Sequence, residues 1–280
     1  MIGIVSHDSG GAEILSSWVA KNFYKKKFIF SLSGPAKKIF KKKIKLSNNY
    51  SLNYVINNSK SIVTGTSWPN KNEIKAIQLS KKKKIFCASY LDHWVNYKER
   101  FFYNKRLYLP DEIWVGDNIA KRIAKKTFKT AKIRYVKNEF FEYLKKKYKK
   151  NKNSKKILIL STPIIKDAKL KFNDPMYFGF TEFDAIKLAI NKIKNLNFQF
   201  KKIVIRSHPS ESPKKFRGFI KKNIFISKEK DILKDISSSY IVIGYNSMAM
   251  ILAKIMKKKV FSCIPKGKIK NTLPFRINDL

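Results

Sequence analysis

The chain has 280 residues, 44% of them hydrophobic, enough to bury a core in one large domain or two ordinary ones and too apolar for a disordered tail. Its formal charge of +43 and pI near 10.2 suggest a polyanion binder, yet only seven of its 62 basic residues are arginine, and specific base and phosphate recognition leans on the bidentate arginine fork. No specific nucleic-acid partner is therefore expected; the lysine excess, with plentiful Asn, Ile and Phe, fits an AT-rich coding sequence, and its functional alternative is attraction to an anionic membrane surface.

Met1 to Ser6 has no basic flank and only a short apolar run before His7 and Asp8, so it reads as a first strand, Ile2 to Ser6, and not as a signal peptide. His7 to Gly11 follows as a tight loop and Ala12 to Phe23 as a helix with apolar spacing. Strands are expected at Phe28 to Leu32, ended by Ser33-Gly34-Pro35, and at Ser61 to Thr64, ended by Gly65 and Trp68-Pro69. A helix from Glu73 to Leu79 leads to a strand at Ile85 to Ser89 and then to an unusually aromatic loop from Tyr90 to Tyr103. The strand Ile113 to Gly116, a helix Asn118 to Phe128, the strand Ile133 to Val136 and a basic helix up to about Lys150 complete the first half.

Lys149 to Lys156 is a polar run of Lys, Asn and Ser without apolar periodicity, where an interdomain linker is expected. The alternation then resumes with strand Ile157 to Ser161, helix Thr181 to Ile193, strand Ile203 to Ile205, helix Pro213 to Lys221 and strand Asn223 to Ile226. A short helix Asp231 to Ser237, strand Ile241 to Gly244, helix Asn246 to Met256 and a last strand Val260 to Ile264 follow. Repeated βα units on both sides of a linker imply an α/β protein of two Rossmann-like, doubly wound domains facing a cleft, residues 1–150 and 151–280. Cys87 and Cys263 stand far apart inside apolar runs and read as buried free thiols of a reducing compartment. No run approaches the ~18 apolar residues of a spanning helix. A cytoplasmic location is expected, with the inner face of the membrane as a resting surface.

Two β-branched runs end in polar residues and then enter helix-like segments: Ile203-Val-Ile-Arg-Ser-His-Pro-Ser-Glu211 and Ile241-Val-Ile-Gly-Tyr-Asn-Ser-Met-Ala-Met250. Open α/β sheets bind ligands at such edges, and a helix N-terminus favours an anion. At His208-Pro209 and Tyr245-Asn246-Ser247 the sequence resembles the C-terminal domain of GT-B-fold glycosyltransferases, in particular bacterial sialyl- and polysialyltransferases, capsule Kdo transferases and CDP-glycerol polymerising enzymes. That resemblance covers roughly residues 157 to 265 and implies that domain 151–280 binds the nucleotide sugar and domain 1–150 the acceptor. It implies that His208 hydrogen-bonds the donor phosphate and that Ser247 and the backbone around it share the task, with Pro209, Gly244, Asn246 and Met248 framing the donor. The acidic-acidic-Gly motif that supplies the base in those families is absent; the nearest candidate is His7-Asp8-Ser9-Gly10-Gly11-Ala12-Glu13.

Inverting glycosyl transfer needs a group to accept the acceptor hydroxyl's proton and another to stabilise the leaving phosphate. Asp8 is the expected base, or His7 with Asp8 orienting it, and Gly10 and Gly11 would let backbone approach ligand; the alternative is that His7 and Asp8 merely cap the first helix. Arg206 is placed with the donor, with pairing to phosphate or to a buried acid left open; Glu211 is placed there too, its alternative being a cap or an ion-pair partner. Glu13, Gly10 and Gly11 are assigned to the acceptor, the alternative for Glu13 being that it favours the positive end of the helix dipole. So is the polar and aromatic set Asp92, His93 and Trp94, because aromatic faces stack on sugar rings; for that set a packed loop is the alternative. No Asp-x-Asp, His-x-x-His or paired-cysteine motif occurs, so no metal is expected, and no resident cofactor, the nucleotide sugar being a co-substrate. The function expected is metal-independent transfer of a sugar from a nucleotide-sugar donor to a surface polysaccharide or lipid-linked glycan. The alternatives are a nucleotide-sugar hydrolase or epimerase on the same scaffold, and a basic non-catalytic protein that binds polyanions or membrane.

Overall fold

The computed structural model describes residues 1–46, 48–67, 70–148, 154–196, 198–268, 273–274 and 277–280. These form two compact units, Met1–Tyr143 and Leu144–Leu280. The first contains β1 (Ile2–Ser6), α1 (Ser9–Asn22), β2 (Phe28–Leu32), α2 (Pro35–Ile44), α3 (Leu52–Asn57), β3 (Ser61–Thr64), α4 (Asn72–Lys82) and β4 (Phe86–Leu91). A small antiparallel hairpin of β5 (Phe102–Tyr103) and β6 (Arg106–Leu107) precedes β7 (Glu112–Val115), α5 (Asn118–Thr127) and β8 (Lys132–Tyr135), after which α6 (Glu139–Lys147) begins. The main sheet is parallel throughout, in the order β2-β1-β3-β4-β7-β8.

The second unit runs β9 (Lys156–Leu160), α7 (Ile164–Phe172), α8 (Glu182–Ile193), β10 (Lys202–Arg206), β11 (Ile224–Ile226), α9 (Ile232–Ser237), β12 (Ile241–Gly244), α10 (Met248–Ile255), β13 (Lys259–Ser262) and β14 (Asn278–Asp279). Its sheet is also parallel, in the order β11-β10-β9-β12-β13-β14. Register puts Ile203 and Ile241 on either side of Ile157, and Ile205 and Ile243 on either side of Ile159. The period of two in a strand sends both isoleucine rows to one face, where they pack with Ile186, Ala189 and Ile193 of α8 and with Phe216. Each isoleucine or phenylalanine taken from water stabilises the unit by about 1.5–3 kcal/mol. Parallel strands buried on both faces are written as continuous apolar runs, which is why these strands are legible in the sequence.

Several expectations need correction. α1 starts at Ser9, so Gly10 and Gly11 form its first turn and not a loop. α2 and α3 fill a stretch that shows no clear pattern, because α2 buries only Ala36 and Phe40 among its lysines; Gly34, at φ 51°, ends the turn after β2, and Pro35 opens the helix where a missing N–H costs nothing. α7 was likewise unforeseen, and Pro213–Phe219 is a 3₁₀ helix. The expected linker falls mostly on residues 149–153, outside the described ones, while its last residue, Lys156, is the first of β9 and is buried. Cys87 and Cys263 are free and buried; burial pushes the Cys87 thiol up to about 12.

Candidate functional site

In the first unit the chain lays β2 to one side of β1 and β3 to the other, and ligands of open α/β sheets bind outside the strand ends at such a switch point. His7 and Asp8 leave β1 there, Gly65 and Thr66 leave β3, and Asp92 follows β4. Asp8 has the extended backbone of an N-cap, but its side chain makes no capping bond. Its carboxylate is 33% exposed and lies 3.8 Å from His7 Nε2. The His7 ring is held by Ser33, whose Oγ is 2.8 Å from Nδ1, and its main-chain N–H donates to Glu73 Oε1 at 2.9 Å. Gly34 makes room for that ring, since a Cβ there would lie 2.5 Å from His7 Cε1.

Glu73 is the residue that sequence reasoning missed, since an acid in the first turn of a helix reads as a partner of the helix dipole. It is only 2% exposed, and Oε2 has no hydrogen-bond partner among the described residues. Burial, with smaller contributions from Asp8 and Asp92, pushes its carboxyl up to about 8, against the bonds from main-chain N–H groups. It is therefore mostly a neutral acid near pH 7. Ser6 Oγ nearby is also buried without a partner, and both Ser6 Oγ and Glu73 Oε1 lie within 3.6 Å of the point where a Cβ on Gly65 would stand. Gly10 and Gly11 serve close packing: a Cβ on Gly10 would meet Asp92 Oδ2 at 2.2 Å, and one on Gly11 would meet the Gly65 Cα at 3.4 Å.

The aromatic loop divides. Asp92 accepts from Arg100 Nη1 at 2.8 Å, and the same nitrogen donates to the Thr66 carbonyl at 2.6 Å, tying the loop to the exit of β3. His93 Nδ1 is buried without a partner, and burial lowers the ring's pKa while Asp92 opposes the shift. Trp94 is 6% exposed and donates its indole N–H to Asp117 Oδ2 at 2.9 Å, while Asp117 Oδ1 caps α5 through the Ala120 N–H. The indole is thus buried, with its N–H engaged by Asp117. Glu13 is ion-paired to Lys43 of α2, whose Nζ also reaches Ser17 Oγ at 3.0 Å; its carboxylate serves α1–α2 packing.

In the second unit the switch point lies between β9 and β12. A void of about 10 Å³, lined there by Ser161, Thr162, Glu182, Gly244 and Tyr245, has room for about one water. Thr162 Oγ1 and the Tyr245 hydroxyl are buried without partners. Gly244 accommodates Met250 of α10, whose Sδ would lie 2.8 Å from a Cβ. Ser247 is the N-cap of α10 and accepts from the Ala249 N–H at 3.1 Å; Asn246 and Met248 flank it at the helix start.

His208 follows β10, next to Pro209. The Ser210 N–H donates to His208 Nδ1 at 3.2 Å, and Ser210 Oγ lies 2.8 Å from the same nitrogen. In the neutral ring the proton therefore sits on Nε2, available as a donor. Burial lowers the ring's pKa, Asp167 opposes this and Lys166 adds to it, which favours that neutral form. Asp167 also bears electrostatically on Tyr245 and Glu211. The choice left open for Arg206 falls to the buried acid: Nη1 donates to Asp235 at 2.6 Å and to the Glu229 carbonyl, and Nη2 to the Lys230 carbonyl. Glu211 accepts from Lys215 Nζ at 2.7 Å and from Ser161 Oγ at 3.2 Å, so it is an ion-pair partner; Lys215 also pairs with Glu182. Among the described residues no three His, Cys, Asp or Glu side chains are grouped so as to hold a metal ion, and no helix is long and apolar enough to cross a membrane.

No family model matches the sequence, and no curated protein matches it. Solved structures do share its architecture. A UDP-GlcNAc 2-epimerase from Methanocaldococcus jannaschii is 14% identical with a TM-score of 0.61, over 93% of this chain and 83% of that one. S. aureus MnaA, in a co-structure with UDP, is 13% identical with a TM-score of 0.64, over 93% and 78%. The glycotransferase of kitacinnamycin is 9% identical with a TM-score of 0.54, over 95% and 81%. At such identities the likeness is one of fold: two Rossmann-like units of the GT-B type, each with a six-stranded parallel sheet.

Proposed function

We propose that the chain is an enzyme acting on a nucleotide sugar, and specifically a metal-independent glycosyltransferase that delivers the sugar to a surface polysaccharide or lipid-linked glycan. The observation that supports it most is the fixed tautomer of His208, which leaves Nε2–H as a neutral donor at a strand end, the arrangement a donor phosphate requires. In an inverting transfer the acceptor hydroxyl loses its proton to Asp8, or to His7 oriented by Asp8, as its oxygen bonds the anomeric carbon. The bond from that carbon to the phosphate oxygen breaks, and its electron pair leaves with the nucleotide. His208 and the N–H groups at the start of α10 stabilise that charge. The resemblance to sialyl, Kdo and CDP-glycerol transferases, and the UDP seen in S. aureus MnaA, name the donors to try first.

A hydrolase or epimerase is the second reading, and Glu73 favours it. A buried neutral acid that feels the carboxylates of Asp8 and Asp92 provides the separated acid and base that chemistry on the sugar alone would use. A thermal-shift screen of wild type and His208→Ala against CMP, CDP, UDP, GDP and their sugar conjugates tests the donor site. At a hundredfold excess over Kd the ligand adds about 2.7 kcal/mol of apparent stability. One nucleotide is expected to stabilise the wild type and not the variant; equal shifts in both proteins, or none, would remove His208 from the donor site. Incubating the recognised donor without acceptor then separates the two enzymes, since only a hydrolase or epimerase consumes it alone.

A further inference from the structure

In a parallel sheet every helix-to-strand connection lies at one edge and every strand exit at the other. In the first unit the helix-to-strand connections carry Lys25, Lys26 and Lys27 before β2, Lys60 before β3, Lys83 and Lys84 before β4, and Lys129 before β8, with no Asp, Glu or Arg among them. The strand exits, by contrast, balance Lys71, Lys98 and Lys137 with Asp8, Asp92 and Asp117. A genome-wide drift towards lysine would load both edges alike, so the segregation calls for another cause. All seven lysines are exposed, and none has an ion-pair partner among the described residues, although Lys26 Nζ lies over the Trp18 ring at 5.7 Å. The acids that do reach this edge are taken up: Asp111 accepts the Cys87 N–H at 2.7 Å, and Glu112 is paired with Lys132 and Arg134.

The same edge carries aromatic side chains in water. Tyr24 is 98% exposed, with Phe23 before it about half exposed and Lys25–Lys27 directly after, and Phe86 at the start of β4 is exposed too. An aromatic tip embedded in lysines, without arginine, suits the headgroup region of a membrane, where amphipathic rings settle and lysines meet anionic lipid; phosphate readout in a nucleic acid would draw on arginine forks. We propose that the helix-to-strand edge of the first unit docks on an anionic phospholipid bilayer. Docking by this edge leaves the Asp8 edge, at the other end of the same strands, open to substrate. The inference stands whether or not the enzyme is a transferase.

Co-sedimentation of the whole protein with vesicles of phosphatidylcholine plus phosphatidylglycerol, against phosphatidylcholine alone, tests it. The wild type is expected to pellet with the anionic vesicles only, less so as salt rises. The triple variant Lys25→Gln, Lys26→Gln, Lys27→Gln should bind about a hundredfold more weakly, from the contribution of each lysine near an anionic surface, and Tyr24→Ser should weaken binding on its own. A second triple variant, Lys37→Gln, Lys38→Gln, Lys98→Gln, removes the same charge at the strand-exit edge of the first unit and should bind like wild type. Equal loss in both triple variants would reduce the effect to net charge and overturn the assignment, as would a wild type that ignores the anionic vesicles. Binding to single-stranded DNA but not to vesicles, through Lys25–Lys27, would replace the lipid with nucleic acid. Thermal melts of the variants verify that these exposed substitutions leave the fold intact.

Discussion

Replacing Asp235 with alanine should unfold the second unit at a markedly lower temperature without touching ligand recognition directly. The carboxylate is 4% exposed and accepts from Lys156 Nζ at 2.7 Å, from Arg206 Nη1 at 2.6 Å and from Ser227 Oγ. Arg206 would keep two main-chain carbonyls; buried Lys156 would keep only the Ser238 hydroxyl and the Asp235 carbonyl. Breaking a buried pair by removing one partner costs about 3–5 kcal/mol, which in a unit of this size lowers Tm by roughly 10 °C or more. Calorimetry at neutral pH reads the loss directly, and its pH dependence supplies a second check. Burial alone would raise the Asp235 pKa, but the bonds from Lys156, Ser227 and Arg206 outweigh it and hold the carboxyl below its ordinary value. Its contribution is therefore present above the unfolded carboxylate pKa and lost as pH falls through the lower folded one, so the two melting curves should converge below about pH 4. A loss under about 1 kcal/mol would refute the reasoning. So would an Arg206→Ala variant that melts like wild type but no longer responds to nucleotide, because the arginine would then belong to the ligand and not to Asp235.

Two further outcomes follow from the first unit. Glu73 has a folded pKa raised from 4.5 to about 8, so its favourable contribution is fully present below pH 4.5 and is lost as pH rises through about 8. Glu73→Gln keeps an acceptor for the His7 N–H and should flatten that slope, making the variant more stable than wild type in urea at alkaline pH; an unchanged slope would mean the carboxyl is solvated. Gly10→Ala should displace Asp92 from Arg100, because the new Cβ would stand 2.2 Å from Oδ2. A drop in turnover of the recognised donor well beyond any drop in Tm is expected, and a variant with full activity would remove Asp92 from the working site.

How much was legible in advance depended on whether a residue's role is set locally. Ile157, Ile159, Ile203, Ile205, Ile241 and Ile243 announced their strands because parallel strands are apolar on both faces, and His208 and Asp8 announced themselves because they follow such strands. α2 stayed hidden because two buried side chains among lysines make no period. The partners of Trp94, Glu13 and Arg206 were not legible because exposure and partnership are properties of distant neighbours: Asp117, Lys43 and Asp235 lie 23, 30 and 29 positions away in the chain.

The sequence by itself determined the alternation of strand and helix, the paired sheets and the strand ends at which chemistry is possible, since these follow from side-chain periodicity and from the backbone limits of Gly and Pro. Only the tertiary structure decided which polar groups are spent and which are free. It assigned Arg206 to Asp235, buried Glu73 as a neutral acid, left Asp8 without a capping bond and set seven lysines at one edge without an acid among them. Those outcomes depend on burial and on contacts between residues far apart in the chain, and no local pattern records either.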